Sequence, residues 1–103
     1  MHLFLQHSKI NPSTDITITG SKSESNRLLL LKALFTNLEI NNVSNSDDSQ
    51  YMLKALKSED STVDIHHAGT AMRFLTAYFA TLEGKTTLLT GSQRMQERPI
   101  KIL

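Results

Sequence analysis

Lys22, Ser23 and Arg27 stand in the stretch Gly20-Ser21-Lys22-Ser23-Glu24-Ser25-Asn26-Arg27, directly ahead of the apolar run Leu28-Leu29-Leu30-Leu31. Ser21 and Glu24 have the S-x-x-E spacing of a capping box, and the apolar run marks a helix body, so a helix is predicted to start here. The first N–H groups of a helix lack intrahelical partners and carry partial positive charge. Two permanent cations and three serine hydroxyls beside them favour an anion, a phosphate above all. The plain alternative is an ordinary capped helix with two solvated basic side chains.

Two further segments have the same character. His67-Ala68-Gly69-Thr70-Ala71-Met72-Arg73 is a small-residue turn feeding an apolar helix, residues 74–82. Gly69 permits close backbone approach, and Thr70 is a candidate cap. Gly91-Ser92-Gln93-Arg94-Met95-Gln96-Glu97-Arg98-Pro99 places two arginines close together in a loop, with Pro99 suited to the first position of a new helix. Arginine's planar fork matches carboxylate or phosphate. Taken singly, a Gly-Thr entry is most often simple capping, and an arginine loop is most often solvated.

The elements that must position these residues alternate. Residues 3–6 form a short candidate strand and Asn11-Pro12-Ser13 a turn. Residues 15–19 alternate with period two and are rich in β-branched side chains, which predicts a strand delivering the chain to Gly20. The first helix is expected over 23–35 and a second strand over 38–43. Ser46 then caps a helix with Asp47 and Asp48 in its first turn, where negative charge is favourable. Met52, Leu53, Leu56 and Tyr51 supply its apolar stripe. Residues 62–66 form a strand before the third helix, Gly84 ends that helix, and 86–90 form a strand into the arginine loop. This order indicates an α/β or α+β layer arrangement.

Composition bounds the function. Lys plus Arg number 11 against 10 acidic residues, a net charge of +1, so there is no global basic field of the kind that holds nucleic acid or a membrane surface. The basic residues Lys22, Arg27, Arg73, Arg94 and Arg98 instead concentrate in the three segments. The chain has no cysteine, which excludes disulfides and thiolate chemistry. Residues 1–10 lack the apolar core of a signal peptide and no run approaches a membrane span, so a cytoplasmic protein is the expectation. His66 and His67, adjacent on a strand, would point to opposite faces, which argues against a shared metal.

Taken together and in this order, the segments resemble the N-terminal part of the 5-enolpyruvylshikimate-3-phosphate synthase family. Its first motif reads G-S-K-S-x-S-N-R, matched throughout by Gly20 to Arg27. Its second reads N-A-G-T-A-M-R, matched by Ala68 to Arg73 with His67 in the asparagine place. Its third reads R-M-x-E-R-P-I, followed by Arg94 to Ile100. Ser46-Asp47-Asp48 with Met52-Leu53 resembles a further S-D-D element. The resemblance implies transfer of the enolpyruvyl group of phosphoenolpyruvate to the 5-hydroxyl of shikimate 3-phosphate, without cofactor or metal. It assigns Lys22 a catalytic role and contact with both substrates. Ser23 and Arg27 fall on shikimate 3-phosphate, Gly69 and Arg98 on phosphoenolpyruvate. The partners implied are these two small molecules and the remainder of the same enzyme chain, a monomer when full length, with no nucleic acid and no membrane.

The same resemblance implies a fold of two domains built from βαβαββ units in an inside-out barrel, with the active site in the cleft between them. On that view residues 1–20 are strands and a hinge belonging with an absent C-terminal domain, and residues 21–103 are part of the N-terminal substrate-binding domain. The chain is expected to be a truncated piece, inactive alone, whose last residues open a helix. Acid/base carboxylates come from the later chain, so Asp47, Asp48 and Glu97 are not promoted to that role; Glu97 is a candidate to orient Arg94 or Arg98. His67 is expected to satisfy a backbone group, and Phe74 stands where some members have proline. A sibling transferase acting on UDP-N-acetylglucosamine carries Lys-Asn where this chain has Lys22-Ser23. A non-catalytic anion-binding module is the alternative from another class. A nucleotide P-loop is disfavoured, because the earlier glycine of that motif is missing.

Overall fold

Three serines start the helices. In the computed structural model, which describes residues 1–100, the Ser21, Ser46 and Ser92 side chains each accept from the backbone N–H three residues on, Glu24, Ser49 and Met95. They open α1 (Lys22–Leu34), α2 (Asp47–Lys57) and the short α4 (Gln93–Gln96). The capping box of α1 is half formed: Ser21 Oγ accepts at 3.4 Å, and no bond returns from the Glu24 side chain. The third long helix, α3 (Gly69–Ala80), has Ala68 at its cap position and no side-chain cap of its own.

Two short strands, β1 (Thr62–Asp64) and β2 (Leu88–Thr90), pair in parallel, with Val63 opposite Leu89. Parallel neighbours need a crossover, and α3 supplies it. Pairing runs on past both strands: Ile65 N–H donates to Thr90 O at 3.0 Å and Ser92 N–H to His66 O at 2.9 Å. The loops of the second and third segments are thereby stitched together at the C-terminal ends of the strands. Gly91 must be glycine here, since a Cβ would run into the His66 carbonyl and the Met95 side chain. The core lies between the sheet and the helices, with Met52, Ile65 and Leu75 fully buried and Leu29, Val63, Phe79 and Met95 around them. The mixed helix and strand order is the α/β class expected.

Three expected strands do not form. Residues 3–6 and 15–19 are exposed throughout, Ile16 and Ile18 at 79% and 76%, and pair with neither β1 nor β2. Residues 38–43 pack Ile40 and Val43 against the core, but Asn42 adopts φ 55°, left-handed backbone that interrupts a ladder. Gly84 does not end α3. Thr81 does, and Gly84 follows in the next turn with φ 71°. The helix expected at Pro99 extends onto residues 101–103, outside the described residues.

Candidate functional site

The N-terminal ends of the three long helices are tied to one another by polar contacts. From α1, Ser25 Oγ accepts from Ser44 N–H at 2.9 Å, just before α2, and Asn26 Oδ1 accepts from Ser49 Oγ at 2.8 Å, in the first turn of α2. Asn26 and Ser49 are both fully buried. From α2, Asp48 Oδ1 accepts from Thr70 N–H at 3.2 Å, in the first turn of α3. A carboxylate of one helix thus caps the helix that lacks a cap, and Asp48 serves two positive helix ends at once. Thr70, expected as a capping side chain, is instead the capped backbone.

Arg27 is the best-held of the exposed cations. Its Nη1 donates to Ser23 Oγ at 2.6 Å and to Ser23 O at 2.9 Å, one helical turn earlier, and its guanidinium lies 5.8 Å from the Phe74 ring centre on α3. Gly69 and Arg98, from separate segments, are in contact: the Arg98 guanidinium occupies the space a Gly69 Cβ would need, with Cζ 3.3 Å from that position. Met95 packs on the same spot. The structure therefore pairs Ser23 with Arg27 and Gly69 with Arg98. It leaves Lys22 exposed in the first turn of α1.

Among the described residues, no hydrogen bond or ion pair engages the side chains of Lys22, Arg73, Arg94 or Arg98, and Glu97 is paired with neither arginine. Lys22 in the first turn of α1 and Arg98 against the start of α3 thus stand at helix N-termini without a carboxylate partner, an arrangement suited to anions. A cavity of about 430 Å³ lies between α3 and β2 around Phe79, Lys85 and Leu89, and is lined by none of Lys22, Arg73, Arg94 and Arg98. The candidate site is thus an open face of helix ends rather than an enclosed pocket.

The histidines differ from expectation. His66 and His67 lie in a turn, not a strand, with rings 4.8 Å apart, because His66 takes φ 50°. His67 Nε2 approaches Asp47 Oδ2 at 3.4 Å rather than satisfying backbone. Among the described residues no group of three or more His, Cys, Asp or Glu is placed to hold a metal. Sequence reasoning missed Asn26 as a helix-to-helix tie, Asp48 as the cap of α3, and Phe74 beside Arg27. Each depends on a contact between segments far apart in the chain.

A family model described as EPSP synthase (3-phosphoshikimate 1-carboxyvinyltransferase) matches residues 57–103, which hold the Gly69 and Arg98 segments. A 3-phosphoshikimate 1-carboxyvinyltransferase of Bacteroides fragilis (strain YCH46) is 49% identical over 89 residues, covering 85% of this chain. The chain belongs to the EPSP synthase family. Relatives of the same description from Actinobacillus pleuropneumoniae serotype 3 and Mannheimia haemolytica are 42% and 41% identical over 86% of the chain. The chain spans only 22% to 27% of the length of these EPSP synthase relatives.

Proposed function

We propose that this chain supplies the shikimate 3-phosphate anchor and part of the phosphoenolpyruvate site of a 3-phosphoshikimate 1-carboxyvinyltransferase. The observation that carries the reading is the pairing at the joined helix N-termini: Ser23 with Arg27, and Gly69 with Arg98. Arg27, with Nη1 held by Ser23, presents the rest of its fork to the phosphate of shikimate 3-phosphate, and Lys22 adds a second cation in the same turn. Arg98 against the N-terminus of α3 receives phosphoenolpyruvate. Two anionic substrates repel one another, and fixed cations with oriented N–H groups offset that repulsion and hold the reacting atoms together. As the 5-hydroxyl oxygen bonds to the enolpyruvyl group and phosphate departs, Lys22 stabilises the developing negative charge.

The remaining groups come from the rest of the enzyme. Residues 1–20 belong with a second domain of the inside-out barrel and include the hinge, and residues 21–103 form part of the substrate-binding domain. The unpaired alternation of Ile16 and Ile18, and the exposure of Leu28, Leu31 and Leu34 on α1 and of Phe35 at its C-cap, support this division. The enzyme works as a cytoplasmic monomer in aromatic amino-acid biosynthesis, and no described helix is long and apolar enough to cross a membrane. The Ser23–Arg27 pair favours this reading over the sibling acting on UDP-N-acetylglucosamine, which has asparagine at that place.

Phosphorus NMR of the full-length protein with both substrates tests the reaction. Consumption of phosphoenolpyruvate and release of inorganic phosphate only when shikimate 3-phosphate is present is the expected result. Turnover of UDP-N-acetylglucosamine in its place, or no turnover, would refute it.

A further inference from the structure

Arg27 is held from two directions. Ser23, on its own helix, takes Nη1 through two oxygens, and Phe74, on α3, places its ring 5.8 Å from the guanidinium carbon. Nε and Nη2 have no protein partner among the described residues. Phe74 is itself half-buried and packed against the core, so its ring is a fixed wall rather than a mobile neighbour. We propose that Phe74 is a positioning residue: its ring face holds the Arg27 guanidinium in the orientation that receives shikimate 3-phosphate. The proposal rests on the transferase reading and adds to it a residue outside the anion-contacting set.

The physical basis is the attraction between a cation and the negative face of an aromatic ring, met more often with arginine than with lysine. Arginine has large side-chain freedom, and ordering it at the moment of binding weakens affinity. A guanidinium already held by Ser23 and the Phe74 ring loses less freedom when shikimate 3-phosphate arrives. The ring contacts Arg27 and not Arg98, so its effect is confined to one substrate. It also links the first segment to the helix of the second, and the shikimate 3-phosphate cation keeps its place relative to the start of α3.

The test compares Phe74→Leu, Phe74→Met and Phe74→Tyr in the full-length enzyme. Removing the aromatic face should raise KM for shikimate 3-phosphate about two- to fivefold. KM for phosphoenolpyruvate and kcat should stay within error, and Phe74→Tyr should restore the parent value. Phe74→Met fills similar volume without a ring, so it decides the matter if Phe74→Leu fails to fold. An unchanged KM for shikimate 3-phosphate in the ringless variants would overturn the proposal. So would an equal rise in both KM values, which marks general loosening of α3, or failure of tyrosine to rescue. Side-chain NMR of Arg27 gives a reading independent of turnover: its Nη and Nε protons should show a ring-current shift that disappears in Phe74→Met. A parent without turnover that shows this shift would refute the transferase reading and leave the Arg27–Phe74 geometry standing. An absent shift in the parent would refute the geometry.

Discussion

Arg27 and Lys22 share the first two turns of α1, but only Arg27 is held by protein oxygen, through Ser23. That difference separates what their replacements do. Arg27→Lys keeps the charge and loses the fork, and hydrogen bonds to charged groups contribute about 1.5–3 kcal/mol each. Affinity for shikimate 3-phosphate should therefore fall about ten- to a hundredfold in a calorimetric titration, with the melting temperature unchanged. At the other pair, Gly69→Ala forces the Arg98 guanidinium aside. The displaced group is the end of a flexible side chain rather than backbone, so the fold should survive. KM for phosphoenolpyruvate should rise while KM for shikimate 3-phosphate stays put; a rise in the latter alone would contradict the assignment. The residue types at these places were readable from the sequence, because cations and small residues at predicted helix starts leave few other uses. Their partners were not readable. Nothing local in the sequence announces that Arg98 lies against Gly69 or that Phe74 faces Arg27.

The helices meet at their starts through Asn26, Ser49, Asp48 and Thr70. Asp48→Ala removes the one side-chain cap on α3 found among the described residues, and loss of such a cap costs about 1 kcal/mol. A urea titration should show the lowered midpoint with an unchanged slope. Asn26→Ala leaves the buried Ser49 hydroxyl without its acceptor, a loss of about 1–3 kcal/mol in the same assay. If Asn26→Ala proved neutral, the buried tie between α1 and α2 would not be holding the helix starts together. The helices were legible from capping signals and apolar spacing: α1 falls within one residue of its expected bounds, and α2 starts directly after its expected cap, Ser46. The missing strands were not legible as missing. Period-two alternation in residues 15–19 reports a face able to pair, whereas a strand also needs an edge to pair with. At 38–43 the left-handed Asn42 decides the matter, and no alternation count contains it.

Across the molecule, apolar side chains face outward where a small domain would bury them. Leu28, Leu31 and Leu34 are exposed at helical spacing on α1, with Phe35 exposed at its C-cap, while Leu29 on another side of the helix is buried. Residues 1–19 are exposed along their whole length. If these surfaces are completed by further chain, hydrogen exchange should show the amides of residues 15–19 unprotected in the 103-residue segment and protected in the full-length protein. Equal exchange in both would contradict their proposed pairing with a second domain. The central claim, that the joined helix starts hold shikimate 3-phosphate through Arg27 and Lys22, has a more direct test. Titrate the full-length protein with shikimate 3-phosphate by calorimetry, alongside Arg27→Ala and Lys22→Ala. The account predicts saturable binding with one site per chain, weakened at least tenfold by either replacement. Binding that both variants retain at the parent's strength would contradict it.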